Sequence, residues 1–285
     1  MILSARPTTA SNQRLAEAAV GRRQECRIVD ATRLVADTER GLWLSDRNLL
    51  ESPPQVVLAR VGNWRPASLL AALEVMVAAG VATPNPASAV RTGRDHWRTA
   101  QTLAEAGLPV PLTTAGAEPE ELAGRVVRRL GFPVVVKQRR SRMGVGVIRC
   151  SSADHLDAVL DSLWRLGDEL IAQRWVDTGG VSERVLVVGG EVVAAARFRA
   201  IDGEWRSNAA RGGRVEAMTP DPRRDGIAVR AAGCLGLGVC GVDLLPTPDG
   251  PLVCEVNPTP GFTAVERATG VDVAGAVVDH LVALG

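Results

Sequence analysis

The sequence predicts an α/β protein, with a parallel-sheet unit at the N-terminal end followed by a larger region built on antiparallel hairpins. Three observations predict it. Short apolar strands alternate with helical stretches through residues 1–92. Two hairpins are written into the second half, one across Gly189-Gly190 and one across Pro248-Asp249-Gly250. At 285 residues and 46% apolar, the chain has material for more than one core.

Taken in order, Met1–Leu3 is expected as a strand and Asn12–Arg23 as a helix, because Leu15, Ala18 and Ala19 share one helical face. Cys26–Val29 and Val56–Ala59 read as buried strands, the second ending at Arg60-Val61-Gly62. Ligands bind parallel sheets beyond the carboxyl ends of their strands, so Arg60 becomes a candidate substrate contact. Ser68–Ala79 is a helix closed by Gly80. Thr83–Arg94, rich in Pro, Asn, Ser and Gly, reads as a boundary. Beyond it, helices are expected from Asp95 to Glu105 and over Glu118–Leu130. Phe132–Lys137 and Val145–Cys150 are strands of a hairpin with a glycine-bearing loop. Leu170–Gln173, Arg184–Val188 and Glu191–Ala196 are strands, Asp221–Leu235 a helix, and Gly241–Leu245 with Leu252–Asn257 the last hairpin.

Bulk properties exclude several classes. The formal net charge of +1 gives no reason to expect nucleic acid or an anionic membrane as partner. The most apolar stretch, Leu69 to Ala82, is short and carries Glu74, so no membrane span is expected. No signal peptide is visible. The five cysteines are scattered without a CxxC, which suits reduced thiols in a cytoplasmic protein.

The last hairpin carries the chemistry. Centred on Asp249, it sets Leu245 against Val253, Leu244 against Cys254 and Asp243 against Glu255. Opposed residues have Cβ atoms ~5 Å apart. Two carboxylates there repel by about 3 kcal/mol at an effective dielectric of about 20, and apolar neighbours limit screening by solvent. A cation is therefore expected between them. Asn257 lies two residues past Glu255 on the same strand face, and two carboxylates with a carboxamide oxygen suit Mg²⁺ shared with nucleotide phosphates.

Lys137 is the second signal. Among 33 basic residues it is the only lysine. It ends a buried strand, and the segment Ser141-Arg142-Met143-Gly144-Val145-Gly146 follows. Glycines let backbone N–H groups approach phosphates that an ammonium neutralises. The lysine precedes the glycines, so this is not a Walker A loop. Gly236-Leu237-Gly238-Val239-Cys240-Gly241 matches GxGxxG but falls after a helix and before a strand. That is the wrong order for a dinucleotide, and the segment reads as a helix cap and turn.

Together these segments resemble a known family. Lys137 with its loop, Gln173-Arg174-Trp175-Val176, Arg206-Ser207-Asn208, Arg211-Gly212-Gly213, Gly241-Val242-Asp243 and Glu255-Val256-Asn257-Pro258 are similar to the RimK-type branch of the ATP-grasp amino-acid ligases, the α-L-glutamate ligase-like enzymes. The resemblance implies an α+β ATP-grasp fold. An N-terminal pre-ATP-grasp domain would span 1–92, a central subdomain 93–175 and a C-terminal one 176–285, with ATP between the last two. It implies that Lys137 touches ATP phosphates beside Gly144, and that Gln173, Arg174, Trp175 and Val176 meet adenine. Arg206, Ser207 and Asn208 would contact phosphate and metal-side atoms. Asp243, Glu255 and Asn257 would ligate Mg²⁺, with Mn²⁺ as the other candidate ion. Arg211 would stabilise the transferred phosphoryl group or the tetrahedral intermediate, so Arg211, Lys137 and Asn208 are the catalytic candidates.

Three positions depart from the family pattern. His96 stands where a second phosphate-binding Lys is usual, and Arg139 is a candidate substitute for it. Arg174 replaces an acidic hinge residue. Ser182 replaces an Asp two residues before Arg184, leaving Glu183 as the other ribose candidate. Arg60, Arg184, Arg197 and Arg211 are the substrate-binding candidates, because Arg forks pair with carboxylates. The implied activity is an ADP-forming acid–amino-acid ligase joining glutamate or another amino acid to an acidic peptide, a carrier protein or a small cofactor. The alternative is a non-catalytic nucleotide-binding module derived from such a ligase. A homo-oligomer is left open.

Overall fold

A computed structural model of the chain describes residues 1–39, 41–140, 146–164, 167, 169–207 and 213–285. It opens with β1 (Ile2–Ser4), α1 (Ala10–Gly21) and β2 (Ile28–Asp30). A small antiparallel meander follows, formed by β3 (Leu34–Ala36), β4 (Leu42–Leu44) and β5 (Arg47–Asn48). Its strands are too short for the sequence to show a period. β6 (Leu58–Arg60) and α2 (Pro66–Ala78) complete the unit. β2, β1 and β6 form the expected parallel sheet in that order, with Ser4 opposite Arg60. Both faces are covered, which is why the strands read as unbroken apolar runs. Leu3 and Ala59 pack with Leu69 and Leu73 of α2, while Ile2 and Leu58 pack with Leu15 of α1 and the C-terminal Val277.

The stretch expected as a boundary contains α3 (Ala87–Gly93) and a buried clip. The Asn85 side chain is fully buried. It donates to the carbonyls of Val239 at 2.7 Å and Pro258 at 3.1 Å, and accepts from the Val239 N–H at 3.0 Å. A buried carboxamide is tolerated because its groups are met.

α4 (His96–Glu105) begins where expected, because the Asp95 carboxylate caps it by accepting from the N–H groups of Trp97 and Arg98. β7 (Thr113–Ala115) and α5 (Pro119–Arg125) follow, the helix running on as a wide π turn to Leu130. β8 (Val134–Gln138), β9 (Val147–Cys150), α6 (Ala153–Trp164) and β10 (Leu170–Arg174) complete a four-stranded antiparallel sheet, ordered β7-β10-β8-β9. α5 and α6 cover one face through Leu122, Val126, Leu156 and Leu160, which meet Val134 and Val136. The period of two then turns Val135 and Lys137 to the uncovered face.

The second antiparallel sheet has five strands: β11 (Val181–Val188), β12 (Glu191–Arg199), β13 (Arg214–Ala217), β14 (Val239–Leu245) and β15 (Leu252–Asn257), ordered β13-β12-β11-β14-β15. Gly189 and Gly190, with φ of 61° and 84°, make the tight turn between β11 and β12. α7 (Pro222–Leu235) covers one face, packing Ala228, Ala231 and Leu235 on Val185, Val187, Val242 and Leu244. Gly236 caps α7 in the left-handed region at φ 67°, so the GxGxxG match is a helix end, as expected. α8 (Thr263–Thr269) and α9 (Val273–Leu284) cover the other face through Val265 and Val273, which meet Leu186 and Phe198. Among the described residues no helix is long and apolar enough to cross a membrane.

Candidate functional site

Asp243 of β14 lies directly opposite Glu255 of β15, with Gly241 opposite Asn257. The expected carboxylate pair is present, but the inner register differs. Leu244 faces Val253 and Leu245 faces Leu252, while Cys254 is the extra residue of a β-bulge. Val253 therefore turns to the α7 face with Leu244 rather than standing beside the carboxylates.

The chain itself sets a cation beside the pair, on the side of Asp243 away from Glu255. Arg184 of β11, opposite Asp243, forks onto its carboxylate, with Nε to Oδ1 at 2.7 Å and Nη2 to Oδ2 at 2.6 Å. Burial opposes the charge on Arg184, but attraction to Asp243 and Glu255 raises its pKa above the ordinary value. Burial pushes the Asp243 carboxyl up; Arg184 pulls it back and Glu255 pushes it further. The oxygen donors of Asp243, Glu255 and Asn257 fit a hard divalent ion. Asn257 Oδ1 already accepts the Thr259 N–H at 2.9 Å, which fixes the carboxamide's orientation. Among the described residues no group of three or more His, Cys, Asp or Glu side chains forms a metal cluster. A metal here would rest on the two acids, Asn257 and oxygens from a ligand.

The other sheet meets this one at Lys137. The lysine is buried, and its ammonium donates to Gln173 Oε1 at 3.1 Å, while Gln173 Nε2 donates to Thr113 Oγ1 at 2.9 Å. Burial raises the Cys254 thiol pKa; Lys137 opposes this and both carboxylates add to it, so all four groups act on one small region.

The backbone after Gln173 is engaged with neighbouring strands. The Arg174 N–H donates to the Leu112 carbonyl at 2.8 Å and the Trp175 N–H to the Pro133 carbonyl at 3.2 Å. The Arg174 guanidinium turns outward to the Arg129 carbonyl at 3.0 Å. Trp175 is held between the Arg149 guanidinium, 4.5 Å from its ring centre, and Trp205, edge-on at 5.0 Å. Val176, half-buried, follows.

The segment after β12 closes over this region. Arg206 forks onto Glu204, with two bonds of 3.0 Å, and reaches the Val147 carbonyl of β9 at 3.4 Å. The side-chain and backbone bonds from Arg206 hold Glu204 down at a pKa of about 2. The hydroxyls of Ser182 and Ser207 lie 2.5 Å apart. Glu204 and Arg149 were not singled out from sequence, and no motif marks them. The expected roles of Gly144, Asn208 and Arg211 fall outside the described residues.

Other expected contacts are arranged differently. Glu183 is buried and pairs with Arg197 at 2.9 Å on the sheet face opposite Asp243 and Arg184, so neither joins the carboxylate cluster. Arg60 is buried between the Asn12 carboxamide oxygen at 3.2 Å and the Pro260 carbonyl at 3.0 Å, and joins the two ends of the chain. His96 starts α4, its N–H donating to the Arg139 carbonyl at 2.9 Å. Arg139 is committed to the buried Asp95 through two contacts of 2.8 Å, so it does not stand free to substitute for a missing lysine.

Two antiparallel sheets, one presenting a buried lysine and the other opposed carboxylates, define the ATP-grasp class of ligases. The RimK-like ATP-grasp domain model matches residues 93–281, and the chain belongs to that family. A probable alpha-L-glutamate ligase of Xanthomonas campestris pv. campestris (strain 8004) is 36% identical over 285 residues, covering 98% of this chain and 97% of the relative. The RimK domain ATP-grasp protein of Sphaerobacter thermophilus DSM 20745 superposes with a TM-score of 0.77 at 25% identity, over 98% of each chain. The ATP-grasp ligase PsnB, complexed with minimal precursor, Mg and ADP, has the same fold at a TM-score of 0.74 and 21% identity, over 99% of this chain and 97% of that one.

Proposed function

We propose that the chain joins a carboxylate to an amine at the expense of ATP, with Mg²⁺ held by Asp243, Glu255 and Asn257 and ATP lying between residues 93–175 and 176–285. The observation carrying this reading is the opposed Asp243–Glu255 pair within electrostatic reach of Lys137. In this reading a substrate carboxylate oxygen attacks the γ-phosphorus, the bond to the β-phosphate oxygen breaks and ADP leaves. The substrate amine then attacks the acyl carbon, phosphate departs and the amine loses its proton. Lys137 draws charge from the phosphates. Trp175 and the strand around it line the adenine side, and Arg211, Asn208 and Arg206 act on the transferred group. The enzyme's task is mainly placement and charge stabilisation.

Glutamate is the proposed amino acid, joined to an acidic peptide, carrier protein or small acceptor. The name of the Xanthomonas relative and the arginines at 184 and 211 support a carboxylate-bearing substrate. Phosphate release screened over amino acids, with and without glutamate-rich peptides, tests it. A pair that releases phosphate only when both partners are present supports ligation.

A second reading is favoured by the Arg206–Glu204 fork, which already satisfies a cation proposed for phosphate. On it the chain binds nucleotide without turnover. Tight Mg–ATP binding with no phosphate release across the whole panel would select this module.

A further inference from the structure

Arg184 occupies a position that the ligase reading leaves with two claimants. Its fork takes both oxygens of Asp243, and its side chain and that of Asp243 keep 22% and 19% exposure toward solvent. The guanidinium rests 5.3 Å from the Phe198 ring centre. A Cβ at Gly241, which lies opposite Leu186, would sit 3.8 Å from Arg184 Cδ, in ordinary contact with the stem. A divalent ion bound by Asp243 and Glu255 would share at least one Asp243 oxygen with the fork and draw off the negative charge that holds the guanidinium there. It would also put two further positive charges beside the guanidinium. A bidentate Arg–Asp pair and a metal-bound Asp243 are therefore competing arrangements.

We propose that Arg184 exchanges partners during binding. With the site empty it neutralises Asp243. Once magnesium nucleotide claims Asp243, the guanidinium turns to the carboxylate of the incoming substrate, whose planar pair of oxygens matches the fork. This rests on the ligase reading and deepens it. Arg184 is then the positioning residue for a carboxylate-bearing substrate, and that substrate binds after the nucleotide. The fork remains satisfied before and after the exchange, as a partly buried guanidinium requires.

The test is calorimetry on the full chain at pH 8. Mg²⁺–AMPPNP is titrated first, and then L-glutamate and a tetraglutamate peptide, each with and without saturating Mg²⁺–AMPPNP. In the wild type, a carboxylate probe is expected to bind only once nucleotide is present. Arg184→Gln is expected to tighten Mg²⁺–AMPPNP by about threefold or more, because a like charge beside the ion is gone, and to abolish carboxylate binding. Arg184→Lys keeps the charge and loses the fork. It is expected to hold the wild-type nucleotide affinity within about twofold while losing the carboxylate, and it serves should the Gln variant fail to fold.

Weaker or unchanged nucleotide binding in Arg184→Gln overturns the exchange, since a guanidinium that turned to the triphosphate, or only supported the sheet, would give those results. So does a carboxylate probe that binds equally well without nucleotide, or no probe binding at all. Failure of the wild type to bind Mg²⁺–AMPPNP is a separate outcome that sinks the ligase reading itself.

Discussion

The only lysine of the chain, Lys137, donates to Gln173 across adjacent strands at 3.1 Å, and both side chains are buried. The pair faces away from α5 and α6, toward the sheet that carries Asp243 and Glu255. A glutamine neutralises no charge. The ammonium therefore keeps its pull for an anion, and the carboxamide holds the side chain in place.

Lys137→Gln is expected to lower kcat/KM for phosphate release by about a hundredfold to a thousandfold, the size seen when one charge-stabilising donor is removed. Lys137→Arg should recover little, because a planar guanidinium cannot fill a pocket shaped for a compact ammonium. Steady-state rates with ATP as the varied substrate measure both; full activity in the arginine variant would show that charge alone suffices.

Asp243→Asn removes one carboxylate and strands Arg184. A partly buried unpaired guanidinium is expected to cost about 2–3 kcal/mol of stability, read by urea unfolding without metal. Mg²⁺ with AMPPNP should raise the melting temperature of the wild type, and EDTA should reverse the rise. The variant should show no shift with either. An equal metal-dependent rise in both proteins would remove Asp243 from the metal site.

Glu204 gives a pH signature. Its folded pKa of about 2 lies below the ordinary 4.5, so its contribution to stability is present above about 4.5 and is lost as the pH falls toward 2. Glu204→Gln should therefore be less stable than the wild type by a constant margin from neutral pH down to about 5. The margin should close through the window below that. A gap that grew on acidification would contradict the Arg206 pairing.

Asn85→Ala should destabilise without touching the chemistry. It leaves the Val239 N–H and two carbonyls buried without partners, an expected cost of about 2–3 kcal/mol. Denaturant unfolding reads the loss, while kcat per folded molecule should stay at the wild-type value.

Local patterns made much of this legible. Alternating strands and helices marked the parallel sheet, Gly189-Gly190 marked a hairpin, and Asp95 marked a helix start. The counted hairpin brought Asp243 to Glu255, but only because the bulge at Cys254 fell inside the pair; Leu244 and Leu245 were mispaired. The sequence does not announce the meander, β7, β13 or the helices α3, α6, α8 and α9. The strands are two to four residues long, and the packing partners of α8 and α9 lie far along the chain.

What the sequence by itself determined is the inventory and its local order. It set one lysine at a strand end, acids opposed across a ribbon, and a row of arginines. A period of two and a turn signal are properties of neighbouring residues. Only the tertiary structure decided which charges satisfy one another. It gave Asp243 to Arg184, Glu204 to Arg206 and Asp95 to Arg139, and set Arg197 and Glu183 on the far face of their sheet. Those pairings depend on strand order and on which faces are covered, and both are set by where distant apolar residues find each other.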